Sequence, residues 1–148
     1  MTRTHLSLLC LTALGLVPLT GVRPQDEAHD DETPLAASMH TVEDSLRLLR
    51  RSLRDPEQTA ASLATVSDCQ LALLRCKVEV PAMAASVPEG ERAAFVRDYR
   101  LGMVELVEAF LELERALLEG EGPDELKAIY TRIKEMEDPA HERFTEDG

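Results

Sequence analysis

The sequence predicts an all-α protein, an up-down-up-down antiparallel four-helix bundle spanning residues 34–148. Apolar residues recur at alternating spacings of three and four in four successive segments. Sequences containing Pro or Gly separate these segments, and no segment alternates apolar and polar residues as a half-buried strand does. A single domain of four helices follows from these observations.

The first helix is predicted to begin at Thr33-Pro34, where a hydroxyl N-cap precedes a proline at the first helical position. Its apolar stripe consists of Leu35, Met39, Val42, Leu46, Leu49 and Leu53. Arginines cover the opposite side and the C-terminal end, where cations interact favourably with the helix dipole. These arginines are Arg47, Arg50, Arg51 and Arg54.

Asp55-Pro56-Glu57 is predicted to start the second helix by the same cap chemistry, and so short a connection makes helices 1 and 2 antiparallel neighbours. Pro81 is expected to end this helix, because the residue before a proline avoids the α region. The apolar stripe consists of Leu63, Val66, Cys69 or Gln70, Leu73, Cys76 and Val80. Seven residues of helix separate the two cysteines by about 10 Å, too far for a disulfide. Buried free thiols are expected, with an intermolecular bridge or a redox role as the alternatives.

A longer connection, residues 82–90, leads to the third helix, which is predicted to end at about Glu119 before Gly120-Glu121-Gly122. Its apolar stripe consists of Phe95, Tyr99, Met103, Leu106, Phe110, Leu113 and Leu117. Pro123-Asp124-Glu125 is predicted to begin the fourth helix. The stripe of that helix consists of Leu126, Ile129, Ile133, Met136 and Ala140, with Phe144 one turn further.

The N-terminal region predicts export. Residues 1–25 combine Arg3, a largely apolar run over 6–19 and small residues, as a secretory signal peptide does. The run is shorter than the about 20 apolar residues of a transmembrane helix, so a short anchor is only the alternative. Residues 26–33 are acidic and predict a disordered, solvated leader, with a loose divalent-cation site around His29 only as the alternative. The mature protein is expected to be soluble and periplasmic.

Charge and motif content narrow the function. Removal of residues 1–25 takes away two arginines, so 28 acidic residues face 14 basic ones and the net charge changes from −12 to −14. That charge disfavours nucleic acid and anionic lipid and favours partners with basic surfaces. The chain has no Gly-rich phosphate loop, Ser/His/Asp set or Cys-x-x-Cys. Glu137 and His141 are four residues apart rather than the three of di-iron bundles, and no inward-facing Glu is expected on the stripes. A monomeric protein that is not an enzyme is predicted.

Met39 and His141 form the candidate functional pair. In an up-down-up-down bundle the first helix begins and the fourth helix ends at the same end of the molecule. At a rise of about 1.5 Å per residue, Met39 lies roughly 9 Å inside helix 1 and His141 roughly 5 Å from the end of helix 4. A thioether and an imidazole at similar depth are one axial ligand set of haem iron. A core methionine and a histidine at a helix end are the ordinary alternatives, and His40 points about 100° away from Met39.

Four segments resemble the cytochrome b562 family of periplasmic haem proteins. Residues 35–46 (LAASMHTVEDSL) are similar to the family's first helix. Residues 99–103 (YRLGM) resemble its aromatic-Arg-x-Gly-aromatic segment on helix 3, and residues 119–120 resemble its helix 3–4 turn. Residues 140–144 (AHERF) are similar to its terminal motif, where an aromatic residue follows the histidine by three positions. The resemblance covers residues 35–145 in collinear order.

The resemblance implies a specific cofactor site. Met39 and His141 would be the axial ligands of one noncovalent haem b, and Tyr99 and Met103 would line the haem. The implied role is one-electron transfer between redox partner proteins in the periplasm. The alternative is a haem-free exported helical bundle that acts as an interaction or stress-response protein.

Three positions depart from the family pattern. Met103 replaces a phenylalanine that packs on the haem, a change that keeps apolar bulk. Glu137 stands where the best-known member has an arginine, and its carboxylate would lower the haem potential. Pro139 cannot donate a hydrogen bond to the Glu135 carbonyl, and its ring disfavours a regular last turn. In residues 137–141 other residues occupy both cysteine places of the Cys-x-x-Cys-His motif of c′-type bundles, so covalent attachment is not expected.

Overall fold

The structure, a computed structural model, describes residues 33–144 and is all-helical over that range. Its elements are α1 (Pro34–Ser52), a 3-10 turn (Pro56–Gln58), α2 (Thr59–Cys76), a second 3-10 turn (Ala82–Ala85), α3 (Glu89–Glu119) and α4 (Pro123–Phe144). The predicted all-α class with four helices is confirmed. The predicted signal peptide and all of the acidic leader except Thr33 lie outside the described residues. No helix within 33–144 has the length and apolarity needed to cross a bilayer.

Local cap chemistry sets three helix boundaries. The Thr33 hydroxyl accepts a hydrogen bond from the Ala36 N–H at 3.1 Å at the start of α1. The Asp55 carboxylate accepts one from the Glu57 N–H at 3.0 Å and begins the turn that leads into α2. Gly120 follows α3 with φ +75°, a left-handed conformation that glycine adopts without steric cost. The boundaries predicted at the start of α1 and the end of α3 are confirmed, whereas Asp55 caps a 3-10 turn and α2 itself begins only at Thr59.

The end of α2 differs from the prediction. The helix stops at Cys76 rather than continuing to Pro81, and Val80 is 53% exposed instead of lying on the apolar stripe. The Tyr99 hydroxyl donates to the Cys76 carbonyl at 2.8 Å, at the point where the helix ends. The chain then forms the 3-10 turn Ala82–Ala85, which the sequence did not predict.

The apolar stripes of the four helices meet in one core. Its least exposed large side chains are Val42, Leu49, Val66, Leu73, Phe110, Leu113 and Ile133. Of the two candidates on helix 2, Cys69 is in the core, whereas Gln70 lies at its edge and donates hydrogen bonds to the Phe110 carbonyl and to Glu114. The predicted stripe residues at the helix ends are partly buried against the same core: Leu35, Met39, Leu63, Met136 and Phe144.

Small polar residues line the contact between α1 and α2, and we call these six residues the small-residue ladder. They form three pairs: Ser38 with Cys76, Ser45 with Cys69, and Ser52 with Ser62. The last pair is joined by a hydrogen bond of 2.8 Å between the hydroxyls. Successive partners are seven residues apart on each helix, the spacing at which a helix in a coiled coil presents the same face again. Small side chains thus occupy this interface at every second turn.

The two thiols are expected to be unreactive in the native protein. Cys69 and Cys76 are buried and do not form a disulfide, as predicted. Burial raises the pKa of Cys69 to about 12 and that of Cys76 to about 11. Because the thiolate is the nucleophile, both residues should label slowly with a bulky maleimide in buffer and rapidly in denaturant, as measured by mass spectrometry. Rapid labelling of folded protein, or a dimer that dissociates on reduction, would contradict this burial.

Candidate functional site

A cavity of about 460 Å³ opens where α1 begins and α4 ends, beside the connection between α2 and α3. Its walls come from the start of α1, residues 81–83, the first half of α3 and the last turn of α4, and they are mainly apolar. Cofactor and small-molecule sites typically have volumes of about 300–1,000 Å³ and a mainly apolar lining with few polar groups. The cavity therefore has the size and character of a ligand site.

All four site residues predicted from the sequence line this one cavity: Met39, Tyr99, Met103 and His141. Tyr99 and Met103 are buried, and the two candidate ligands are half-buried. His40, predicted to point about 100° away from Met39, also lines the cavity. Its side chain is nevertheless 68% exposed, and its Nδ1 lies 3.8 Å from the Glu43 carboxylate. His40 thus belongs to the rim.

The two helices with the candidate ligands, α1 and α4, are not closely packed on each other. The backbones of α1 and α2, of α2 and α3, and of α3 and α4 pack closely, whereas contacts between α1 and α4 are sparse. A groove of about 860 Å³ follows α1 and α4 and shares His141 with the cavity. The Tyr130 hydroxyl donates a hydrogen bond across it to the Leu46 carbonyl at 3.1 Å. A cleft therefore runs between these helices and meets the cavity at His141.

Aromatic contacts fix the last turn of α4 against α3. The Phe144 ring packs edge-on against Phe95 at 5.1 Å and against Tyr99 at 5.4 Å between ring centroids. Burial raises the pKa of Tyr99 well above its usual range, so its hydroxyl remains the donor to Cys76. These contacts place the turn that contains His141 beside the cavity wall.

An ion pair reinforces this attachment. The Arg143 guanidinium lies 2.8 Å from the Asp98 carboxylate of α3 and 5.2 Å from the centroid of the Phe144 ring. Arg97 also donates to Asp98, and Arg97 and Arg143 together lower the pKa of Asp98 below 3.8. Sequence reasoning missed this pair because its members are 45 residues apart. Asp98 and Tyr99 follow Phe95 by three and four residues and so lie on one face of α3. This spacing is the sequence feature that could have indicated a contact surface there.

Acid is expected to release this attachment. Because the pKa of Asp98 is lowered on folding, its contribution to stability is complete above the unfolded-state pKa and is lost as the pH falls through the lower folded-state value. The melting temperature of Asp98→Asn should therefore be slightly below that of the wild type at neutral pH, and the difference should vanish well below pH 3.8. A difference that persists unchanged in strong acid would show that the charge is not its cause.

Two residues on α4 depart from what the sequence predicted. Glu137 is only 5% exposed, so the expectation that no glutamate faces inward was wrong. Lys134 forms an ion pair with it, which compensates the buried charge, and Glu137 and His141 both line the α1–α4 cleft. Pro139 is exposed, and α4 continues through it to Phe144. The missing hydrogen bond therefore does not end the helix before His141.

Within residues 33–144 no group of three or more His, Cys, Asp or Glu side chains is placed to hold a metal ion. His29, around which a loose cation site was the alternative to a solvated leader, lies outside the described residues. Comparison of the chain with protein-family models, with curated proteins and with solved structures gives no match.

Proposed function

We propose that this chain is an exported electron-transfer protein that binds one haem b noncovalently between Met39 and His141. The supporting observation is that these two residues line one mainly apolar cavity and belong to the two helices that are not closely packed on each other. A thioether and an imidazole are one of the axial ligand sets that proteins use for haem. The donor set, the cavity volume and the open cleft all fit this cofactor.

The proposed arrangement of the helices is up-down-up-down. Contacts between neighbouring helices support it, since residue numbers rise on one helix as they fall on the other. Between α2 and α3 these contacts join Gln70 to Glu114 and Cys76 to Tyr99, and between α3 and α4 they join Glu112 to Arg132 and Asp98 to Arg143. In this arrangement the start of α1 and the end of α4 lie at the same end of the molecule.

Each residue of the site has a distinct role in the proposal. Met39 and His141 hold the iron, while Tyr99 and Met103 exclude water from one wall of the cavity. The bound group supplies a one-electron couple, whose potential a thioether ligand raises. Glu137 is a buried carboxylate on the same helix as His141. Its negative charge would stabilise the oxidised form of the bound group, which is more positive than the reduced form, and would therefore lower the reduction potential.

Export and partners complete the proposal. With both axial positions occupied by protein ligands, no iron position is open to a substrate, so we assign no enzymatic activity. The acidic mature chain, with a net charge of −14 from 28 acidic and 14 basic residues, favours redox partners with basic surfaces. We propose a periplasmic monomer.

Titration with haem tests this function. The purified protein should develop a sharp Soret band that saturates at one haem per chain. Acidified organic solvent should extract all of the haem, because no cysteine is placed for covalent attachment. A protein that remains colourless with equimolar haem would contradict the proposal and favour a haem-free bundle that acts as an interaction or stress-response protein.

A further inference from the structure

The cavity contains more soft metal ligands than the proposed haem site uses. Three of the four methionines in residues 33–144 line it, and so do both histidines of that range. These residues are Met39, Met83, Met103, His40 and His141. The fourth methionine, Met136, packs against the core and is not among the residues that line the cavity.

Met83 is the thioether of the cavity wall that the proposed haem site does not use. It lies in the 3-10 turn Ala82–Ala85 between α2 and α3. Two backbone hydrogen bonds hold this turn: the Ala84 N–H donates to the Pro81 carbonyl at 2.9 Å, and the Ser86 N–H donates to the Met83 carbonyl at 3.0 Å. Ala84 is also buried. The connection therefore has a defined conformation. Met83 lines the cavity from this connection and not from one of the four helices.

The chemistry of these side chains selects among metal ions. Thioether sulfur is a soft, uncharged ligand that favours Cu(I), whereas Mg²⁺ and Ca²⁺ require several oxygen ligands. Zn²⁺ prefers thiolate, imidazole and carboxylate, and neither Cys69 nor Cys76 lines the cavity. Glu43, His40 and His141 do line it, but within residues 33–144 no three such side chains are grouped to hold a metal ion. Neutral ligands leave a bound Cu(I) with a single positive charge, which a mainly apolar cavity accommodates at lower desolvation cost than a divalent ion.

We propose that the haem-free protein binds one Cu(I) ion in this cavity, through the sulfur atoms of Met39, Met83 and Met103 and the imidazole of His141. This site does not depend on haem binding, but it shares Met39 and His141 with the haem ligand set. Haem and Cu(I) therefore exclude each other from the cavity.

Competition with a chromophoric Cu(I) chelator tests the site. The full-length haem-free protein, kept anaerobic with a reductant, should remove one equivalent of Cu(I) from bicinchoninate. Zn(II), presented with a zinc-responsive dye, should not be bound. Failure to remove Cu(I), or equal binding of Zn(II), would overturn the proposal.

A pair of matched variants locates the ion. Met83→Leu keeps the apolar volume and should weaken Cu(I) binding at least about tenfold, the low end of the loss caused by altering even an outer-shell partner. Met136→Leu is the same change outside the cavity and should leave the affinity unaltered. Circular dichroism of both variants should match the wild type. Equal affinities for the two variants would remove Met83 from the site.

Haem titration of the same variants separates the two proposals. Met83→Leu removes no haem ligand and keeps the apolar volume, so it should weaken haem binding far less than Cu(I) binding, while Met39→Leu should weaken the binding of both haem and Cu(I). His141→Ala should lose Cu(I), and His40→Ala should not; the reverse result would contradict the ligand assignment. Haem binding without Cu(I) binding would refute only the copper site, and Cu(I) binding without haem binding would refute only the haem proposal.

Discussion

Replacement of His141 by alanine is expected to abolish stoichiometric haem binding and the ferrous His/Met spectrum. Imidazole is the stronger of the two ligands for both iron states, and within residues 33–144 no other histidine is half-buried in the cavity wall. His40, the other histidine within residues 33–144, is 68% exposed at the rim of the cavity. The affinity from the Soret titration and the ferrous absorption spectrum measure the effect.

His40→Ala is the control for this prediction, and it should leave both the affinity and the spectrum unchanged. An intact spectrum in His141→Ala would show that another group ligates the iron. A loss of haem binding in His40→Ala, without a loss in His141→Ala, would show that the histidine ligand is His40 on α1. Asp98→Asn tests the attachment of the last turn of α4 separately, because it leaves the imidazole in place.

Loss of the thioether is expected to have a different result. Met39→Leu should still bind haem, with weaker affinity, since the bond to His141 and the burial of the porphyrin remain. The vacated axial position should bind carbon monoxide, which a difference spectrum of the ferrous protein detects. Met136→Leu, which changes a methionine that packs against the core, should not bind carbon monoxide. Carbon monoxide binding by the wild type would contradict Met39 as a ligand.

Truncation of the core should cause the largest loss of stability. Leu46 and Phe110 are buried in the common core. Removing such side chains forfeits their transfer free energy and leaves a cavity, so Leu46→Ala should cost about 2–5 kcal/mol and Phe110→Ala about 3–5 kcal/mol. Urea denaturation of the haem-free protein, followed by far-ultraviolet circular dichroism, gives these free energies of unfolding.

Arg50→Ala is the control for the core variants. Arg50 lies on α1 one turn beyond Leu46 but is exposed, so its loss should change the free energy of unfolding by less than about 0.5 kcal/mol. If Leu46→Ala cost no more than Arg50→Ala, the buried face assigned to α1 would be wrong.

Helix boundaries could be predicted wherever they depend on neighbouring residues. Thr33 and Gly120 act within one turn of the helix end that they define, so their effect can be predicted from the local sequence. At the end of α2 the Cys76 carbonyl accepts a hydrogen bond from the hydroxyl of Tyr99, 23 residues away, and no local pattern encodes such a contact. Periodicity alone extended that helix to Val80.

The same distinction between local and long-range effects applies to the candidate site. Helix length and direction sufficed to place Met39 and His141 at a common depth, and both line one cavity. Met83 was missed because it lies in a connection without periodicity. The burial of Glu137 was missed because a carboxylate is expected to face water, and its compensation by Lys134 depends on the packed structure.

The small-residue ladder alone does not determine how far α1 is shifted along α2. A slide of seven residues, about 10.5 Å, would bring Ser45 opposite Cys76 and Ser52 opposite Cys69, again small against small. What distinguishes the two alignments is the point where the chain reverses, which Asp55 fixes by capping the turn at Pro56. Lengthening this reversal with glycines would therefore not merely loosen a loop. It would permit a second alignment of the hairpin, in which each thiol has a different serine neighbour.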